Sequence, residues 1–291
     1  MSVKNLLTGA APAIFVLLWS TGFVGAKMGA PSSNPFSFLL VRFVIVAAIL
    51  GIFCLFANVR WPNRTDALQS MLTGFLVHGA YLGGVFWAID NGMPAGVSAI
   101  IVGLQPLITV ATAKLILDES ITPRHLAGFG FGLLGLGLVL APKLGLSNTG
   151  VSPVTILACF AGVLGISIGT VYQKRFLNDI DLRTGTFYQY IGALPLMIVG
   201  LPFDGGYYIE WTGDFIFALA WLVLVLSIGA ISLLMLLIRQ GAVSSVASLF
   251  YLVPVATAIE SYFLFGETLT TLQIIGMLIV VGAVALARKK A

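Results

Sequence analysis

Charge is what this chain lacks first. Asp, Glu, Lys and Arg together make up 9% of 291 residues, where a soluble domain carries roughly a quarter. A surface that poor in charge cannot be solvated, so a water-soluble fold is excluded. Cysteine is nearly absent too. Cys54 and Cys159 both lie inside apolar runs and far apart, which leaves no disulfide framework and no CxxC metal site. No GxxxxGK[ST] phosphate loop occurs, so ATP is not a direct energy source within this chain and no cofactor is expected. The net charge of +4 comes from lysines and arginines scattered in short polar segments. That pattern fixes membrane orientation and does not form a nucleic-acid surface.

What the chain has is apolar length. Hydrophobic residues make up 59% and the mean hydropathy is +1.05, so for most side chains the solvent is lipid. Apolar runs broken by charge, Gly, Pro or Asn predict ten membrane helices near 8–28, 35–57, 66–90, 94–117, 123–141, 152–176, 184–202, 214–238, 242–265 and 270–287. Residues Met1 to Leu7 run into the first of these without a small-residue cleavage site, so it reads as a retained span. With the N-terminus in the cytoplasm, one side collects Lys4, Arg60, Arg64, Arg124, Lys174, Arg175, Arg183, Arg239, Arg288, Lys289 and Lys290. The other side holds little beyond Lys27 and Lys143, so both termini are expected inside a plasma (inner) membrane. The acidic segment with Asp204, Glu210 and Asp214 then falls outside.

The chain also resembles itself. Pro106, Glu119, Thr122 and Gly128 fall over Pro254, Glu267, Thr270 and Gly276 at a shift of 148. Ser20, Gly22, Val24 and Lys27 fall over Ser167, Gly169, Val171 and Lys174 at 147, and Asn91-Gly92 over Gln240-Gly241 at 149. Two repeats of five spans, 1–147 and 148–291, enter the bilayer with opposite orientation because five is odd. The expected fold is an all-α polytopic membrane protein of ten transmembrane helices in two inverted five-helix repeats, an architecture that points to alternating access.

Four segments resemble the ten-span EamA-like exporters of the drug/metabolite transporter superfamily. These are Trp19-Ser20-Thr21-Gly22-Phe23-Val24-Gly25-Ala26-Lys27, Arg42 after Pro35, and the paired segments Gln105-Pro106 to Asp118-Glu119 and Val253-Pro254 to Gly266-Glu267. The resemblance covers the whole chain. It implies a solute exporter, nearest in length and pattern to bacterial amino-acid exporters, including aromatic ones.

Candidate transport residues are the polar groups at membrane depth, each costly unless it faces the bundle interior or water. Ser98, Gln105, Thr109 and Thr112 lie within about 40° of one helical meridian, a stripe that serves either a solute path or interhelical hydrogen bonds. Pro106 and Pro254 each remove a backbone donor and free a carbonyl for a ligand, or simply kink the helix. In the ninth span Ser244, Ser248, Tyr251 and Tyr262 share one face and Thr257 and Glu260 the other, and either face can line the cavity. Glu260 near the outer end is a candidate for proton coupling. His78 sits mid-span with Ser227 at the repeat-equivalent position, which points to a shared central cavity. Its imidazole either binds a carboxylate or carries a proton, or is satisfied by a neighbouring hydroxyl. Lys27 and Arg42 flank the outer end of the first hairpin, to attract an anion or to snorkel. The repeat places Arg42 over uncharged Tyr190. Among aromatics, Trp19 and Tyr81 join the substrate-binding set of Ser20, His78, Gln105, Ser227, Ser248 and Tyr251, while Lys27, Arg42, Pro106, Pro254 and Glu260 form a gating or coupling set.

The leading reading is a secondary transporter exporting amino acids or related small metabolites, facilitated or proton-linked, working as a monomer or homodimer in the lipid bilayer. Organic cations are the alternative cargo. An intramembrane hydrolase pairing Ser98 with His78 needs the two within hydrogen-bond reach, yet they lie about 10 Å apart in depth.

Overall fold

The structure, a computed structural model, describes residues 3–93, 95–141, 152–265 and 269–288. Among them every regular element is helical, and the only extended pairing is one bridge between Ser33 and Ile209. The helices are α1 (Val3–Gly29), α2 (Pro35–Phe56), α3 (Arg64–Gly74), α4 (Tyr81–Asp90), α5 (Ala95–Val102), α6 (Gln105–Leu117) and α7 (Pro123–Leu140), then α8 (Pro153–Phe176), α9 (Leu182–Gly200), α10 (Gly213–Trp221), α11 (Ile231–Gln240), α12 (Val243–Ala247), α13 (Leu252–Phe265) and α14 (Thr271–Arg288). Several join end to end: α3 and α4 through Phe75–Ala80, α10 and α11 through Leu222–Ala230, α12 and α13 through Ser248–Tyr251.

Their ends follow local chemistry. Pro35, Pro123 and Pro153 occupy first-turn positions, where the missing N–H would have no partner anyway. The side chains of Asn63, Thr122, Ser152, Asp181 and Thr212 accept from first-turn N–H groups. At α7 the cap is reciprocal, since His125 Nδ1 accepts from the Thr122 N–H at 3.4 Å. His125 is thus part of a helix start. Asp181 also binds the Arg183 guanidinium, which holds its carboxyl below the usual carboxylate range.

Among the described residues, seven helical stretches are long and apolar enough to cross a membrane: Pro35–Phe56, Arg64–Asp90, Pro123–Leu140, Pro153–Phe176, Leu182–Asp204, Gly213–Gln240 and Val243–Leu264. Shorter apolar helices are Ala10–Gly22, Gln105–Leu117 and Thr271–Ala287. The expected fourth span falls short because its helix breaks at Gly103-Leu104. Large apolar side chains such as Phe56, Leu115, Phe263 and Leu278 stand exposed, as they must on a lipid-facing surface.

Lipid tails are as apolar as leucine, so close packing and polar contacts hold such a bundle together. α2 and α3 pack on α9, α4 and α6 on α8, α1 on α13, and α7 on α14. Glycine permits the tightest crossings. A Cβ on Gly74 would land on the Gln189 carbonyl, and one on Gly192 on the Met71 carbonyl, so α3 and α9 touch backbone to backbone. Gly135 and Gly276 do the same for α7 and α14, each 2.7–2.8 Å from the other's carbonyl when given a Cβ.

Loops tie the two ends of the bundle. At one end Arg239 binds the carbonyls of Leu177 and Ile180, and Thr184 Oγ1 donates to the Arg60 carbonyl. At the other, Asn34 Nδ2 donates to the Asp204 carbonyl at 2.6 Å, and the Phe36 N–H to the Asp204 carboxylate at 2.9 Å. The first end carries Arg60, Arg183 and Arg239 and is called the basic end below.

Candidate functional site

Two mid-bundle segments leave α-helical winding. Phe75–Ala80 and Leu222–Ala230 are π-helical, and each holds one of the central polar residues, His78 and Ser227. A π-segment adds a residue to the turn, redirects side chains, and is frequent at functional sites. Here the two segments converge on α2 and α9. The His78 ring stacks on Tyr190 with centroids 4.5 Å apart and planes 4° from parallel. Phe43 lies 5.4 Å from Tyr190 and 6.2 Å from His78. The Tyr190 hydroxyl donates to the Ser227 carbonyl at 3.1 Å, and Arg42 Nε donates to the Ser227 hydroxyl at 2.9 Å. His78 and Ser227 are thus linked through Tyr190, and Arg42 joins them at the Ser227 hydroxyl.

Arg42 departs from the interfacial position its place near the start of α2 implied. It is 2% exposed. Seven residues into the helix, it is about 10 Å below the end, and Ser227 supplies an acceptor there, so the guanidinium stays inside.

From this cluster a chain of amides runs toward the basic end. Gln189 Nε2 donates to Gln173 Oε1 at 3.0 Å, and Gln173 Nε2 contacts Met235 Sδ. Together with Ser70, Asp181 and Arg239 these line a narrow, partly open cleft with room for about one water molecule. A second cleft, equally narrow, is lined by Gln105, Thr109, Thr170, Leu234, Val246 and Phe250. Gln173 and Thr170 are a turn apart on α8, and Met235 and Leu234 are neighbours on α11, so these two helices form the wall between the clefts. Gln105 Oε1, Thr109 Oγ1, Gln189 Oε1 and His78 Nε2 are buried without a hydrogen-bond partner. Buried polar atoms are rarely left unpaired, and these four keep hydrogen-bonding capacity that their protein neighbours do not use.

The polar stripe of the fourth span faces α8. Ser98 Oγ lies 3.5 Å from Cys159 Sγ, and the Gln105 carbonyl accepts from Ser167 Oγ at 3.3 Å. Thr112 instead bonds the Ile108 carbonyl of its own helix. Ser98 thus meets a thiol and not His78, so the pairing a hydrolase needs is not assembled. Pro106 opens α6 just after the break at Gly103-Leu104, and Pro254 follows the 3-10 segment Ser248–Tyr251.

That 3-10 segment changes the winding of the ninth stretch, and its two presumed faces separate accordingly. Ser244 Oγ bonds Glu119, Ser248 Oγ bonds the Ser245 carbonyl, and Tyr251 packs on α7 with its hydroxyl 3.5 Å from the Phe129 carbonyl. Tyr251 thus lies away from both clefts. On the other face, Ser20 Oγ donates to Glu260 Oε1 at 2.5 Å, joining α1 to α13. Trp19 stacks edge-on against Phe250, which lines the second cleft, with centroids 5.2 Å apart. Tyr81 is buried one turn beyond His78, where α4 meets α8. The side chain of Lys27 lies outside the described residues, as does Glu267.

Sequence reasoning noted Glu119 as a repeat marker and missed its work. Its carboxylate accepts from the Val243 N–H at 2.9 Å, the Ser244 N–H at 3.3 Å and Ser244 Oγ at 2.9 Å, tying the end of α6 to the start of α12. Gln173 and Gln189 were missed as well, although amides inside apolar spans meet the same membrane-depth criterion that singled out Gln105. Among the described residues no group of three His, Cys, Asp or Glu stands close enough to hold a metal ion.

Comparison with known proteins agrees with this arrangement. The EamA-like transporter family matches over residues 9–141 and again over 153–288. The chain is 27% identical over 289 residues to the "Uncharacterized inner membrane transporter YedA" of Escherichia coli (strain K12), covering 96% of this chain and 90% of that protein. It is 24% identical over 278 residues to the "Probable amino-acid metabolite efflux pump" of Salmonella typhimurium (strain LT2), covering 92% and 90%. A solved crystal structure superimposes with a TM-score of 0.80 over 95% of this chain and 94% of the other, at 20% identity, and so shares the fold. With all-helical architecture, apolar spans and a buried polar cluster between them, the chain belongs to the EamA-like transporter family and is a multi-pass membrane transporter.

Proposed function

We propose that this transporter exports amino acids or related small metabolites across the inner membrane by alternating access between two inverted five-span halves. The observation that carries the reading is the cluster itself, in which repeat-equivalent residues meet. The Arg42–Ser227 contact and the Tyr190–His78 contact exchange with each other when the halves are exchanged. The same exchange relates the two π-segments and the two prolines that follow a break in helical winding. Packing partners obey it too, with α1 on α13 answering α8 on α6. A site on the axis between inverted halves is reachable from either side as they rock. The name of the Salmonella relative, a probable amino-acid metabolite efflux pump, supports the amino-acid cargo, and the basic end, placed in the cytoplasm, supports both termini inside.

The test is counterflow of labelled phenylalanine into proteoliposomes, with neutral amino acids as competitors and with or without a pH gradient. Saturable exchange is expected. Indifference to the gradient identifies a facilitator, whereas acceleration by it implicates His78 or Glu260 in proton linkage. Absence of exchange for every amino acid tested overturns the cargo.

A further inference from the structure

Arg42 presents an electrostatic problem that the described residues around it do not solve. A guanidinium stays protonated under all protein conditions, so it cannot escape burial by shedding its proton as lysine or histidine can. A buried charge costs several kcal/mol unless paired, and inside a membrane such a residue is by default functional. Among the described residues the one ion pair is Arg183–Asp181 at the basic end. Among the described residues, Glu119 is engaged with α12 and Glu260 with Ser20. Around Arg42 the structure offers a hydroxyl, a phenol and an imidazole, and the recorded hydrogen bond uses Nε alone.

We propose that Arg42 anchors an organic carboxylate within the buried cluster, with Nε oriented by Ser227 and the terminal nitrogens left to grip both oxygens. The proposal rests on the transport reading for the route by which a solute arrives and deepens it by naming the group that is recognised. Two features of the surroundings select this chemistry. The guanidinium is a planar fork that matches a carboxylate bidentately, and Ser227 fixes it from the side. Beside it, Phe43, His78 and Tyr190 form an aromatic wall, an apolar surface that an organic acid can use and a bare inorganic anion cannot. A solute with a single positive charge and no acid group is repelled.

Ligand-induced thermal stabilisation of the purified full-length protein tests this with matched acids and amides: 3-phenylpropionate against 3-phenylpropanamide, and phenylalanine against phenylalaninamide. In the native protein the acid of each pair is expected to bind at least about tenfold tighter than its amide. Arg42→Gln abolishes the difference, and Arg42→Lys, which keeps the charge but loses the fork, retains part of it. Equal binding of acid and amide by the native protein overturns the proposal without any variant. So does a folded Arg42→Gln protein that still prefers the acid. Stabilisation by chloride alone that disappears in Arg42→Gln assigns the guanidinium to an inorganic anion and likewise overturns it. The two readings fail separately. Arg42-dependent binding of 3-phenylpropionate without phenylalanine counterflow sinks the amino-acid cargo and leaves the anchor standing, whereas counterflow inhibited equally by phenylalaninamide leaves transport standing and sinks the anchor.

Discussion

Ser227 takes a hydrogen bond on its hydroxyl from Arg42 and another on its carbonyl from Tyr190. Through one small residue the cluster therefore links α2 to α9 by way of the π-segment. Tyr190→Phe keeps the ring stacked on His78 and removes only the phenolic donor. The expected loss is about 1 kcal/mol, the ordinary net worth of one such bond, read as a lower unfolding midpoint in detergent. An unchanged midpoint would show that the Ser227 carbonyl does not depend on the phenol. At this scale the sequence was informative about position and silent about partners. His78, Ser227 and Gln105 declare themselves because polar groups in apolar spans are costly, and Arg42 over Tyr190 was visible in the repeat. That Tyr190 is the residue on which His78 stacks depends on two helices crossing, which no spacing along one chain encodes.

Among elements, winding and crossing decide what the residues reach. A uniform 100° per residue places Ser244, Ser248 and Tyr251 on one face, yet the 3-10 segment at Ser248–Tyr251 breaks that phase and turns Tyr251 to α7. Of the stripe Ser98, Gln105, Thr109 and Thr112, Ser98 meets Cys159 of α8 and Gln105 and Thr109 share a cleft with Thr170 of α8, whereas Thr112 bonds its own helix. The α3–α9 crossing makes a sharp prediction. Gly192→Ala drives a methyl into the Met71 carbonyl, a backbone atom that cannot rotate aside, so the helices must separate. Overpacking of this kind costs about 1–3 kcal/mol. Gly137→Ala, with open space around its Cβ, should cost nothing, and comparing the thermal stability of the two variants checks both. The α6–α12 tie gives another. Glu119→Ala removes an acceptor at a helix start, a loss of about 1 kcal/mol, and loosens the basic end. A thiol reagent should then modify Val246→Cys faster in the Glu119→Ala background than in the native one. Equal rates would mean that apolar packing alone holds that end shut.

For the whole molecule the issue is which way the bundle sits. With Cys54 and Cys159 replaced by alanine, a membrane-impermeant maleimide applied to intact cells should label Tyr207→Cys, at the end opposite the arginines, and spare Asp179→Cys until the cells are lysed. The reverse pattern would invert the orientation. Composition settled that the chain lives in lipid, because 9% charge cannot solvate a surface. Apolar run lengths located the helices to within a few residues at most ends, and the internal spacing singled out Pro106 and Pro254 and the polar residues His78 and Ser227. These are local or compositional properties, readable along a single strand. Tertiary structure decided the rest: that Arg42 turns inward to Ser227, that Glu119 caps a distant helix, and that two π-segments deliver His78 and Ser227 to one cluster. Each depends on which helices cross and at what depth, and that is set by backbone contacts at glycines and by paired polar groups from segments far apart in sequence.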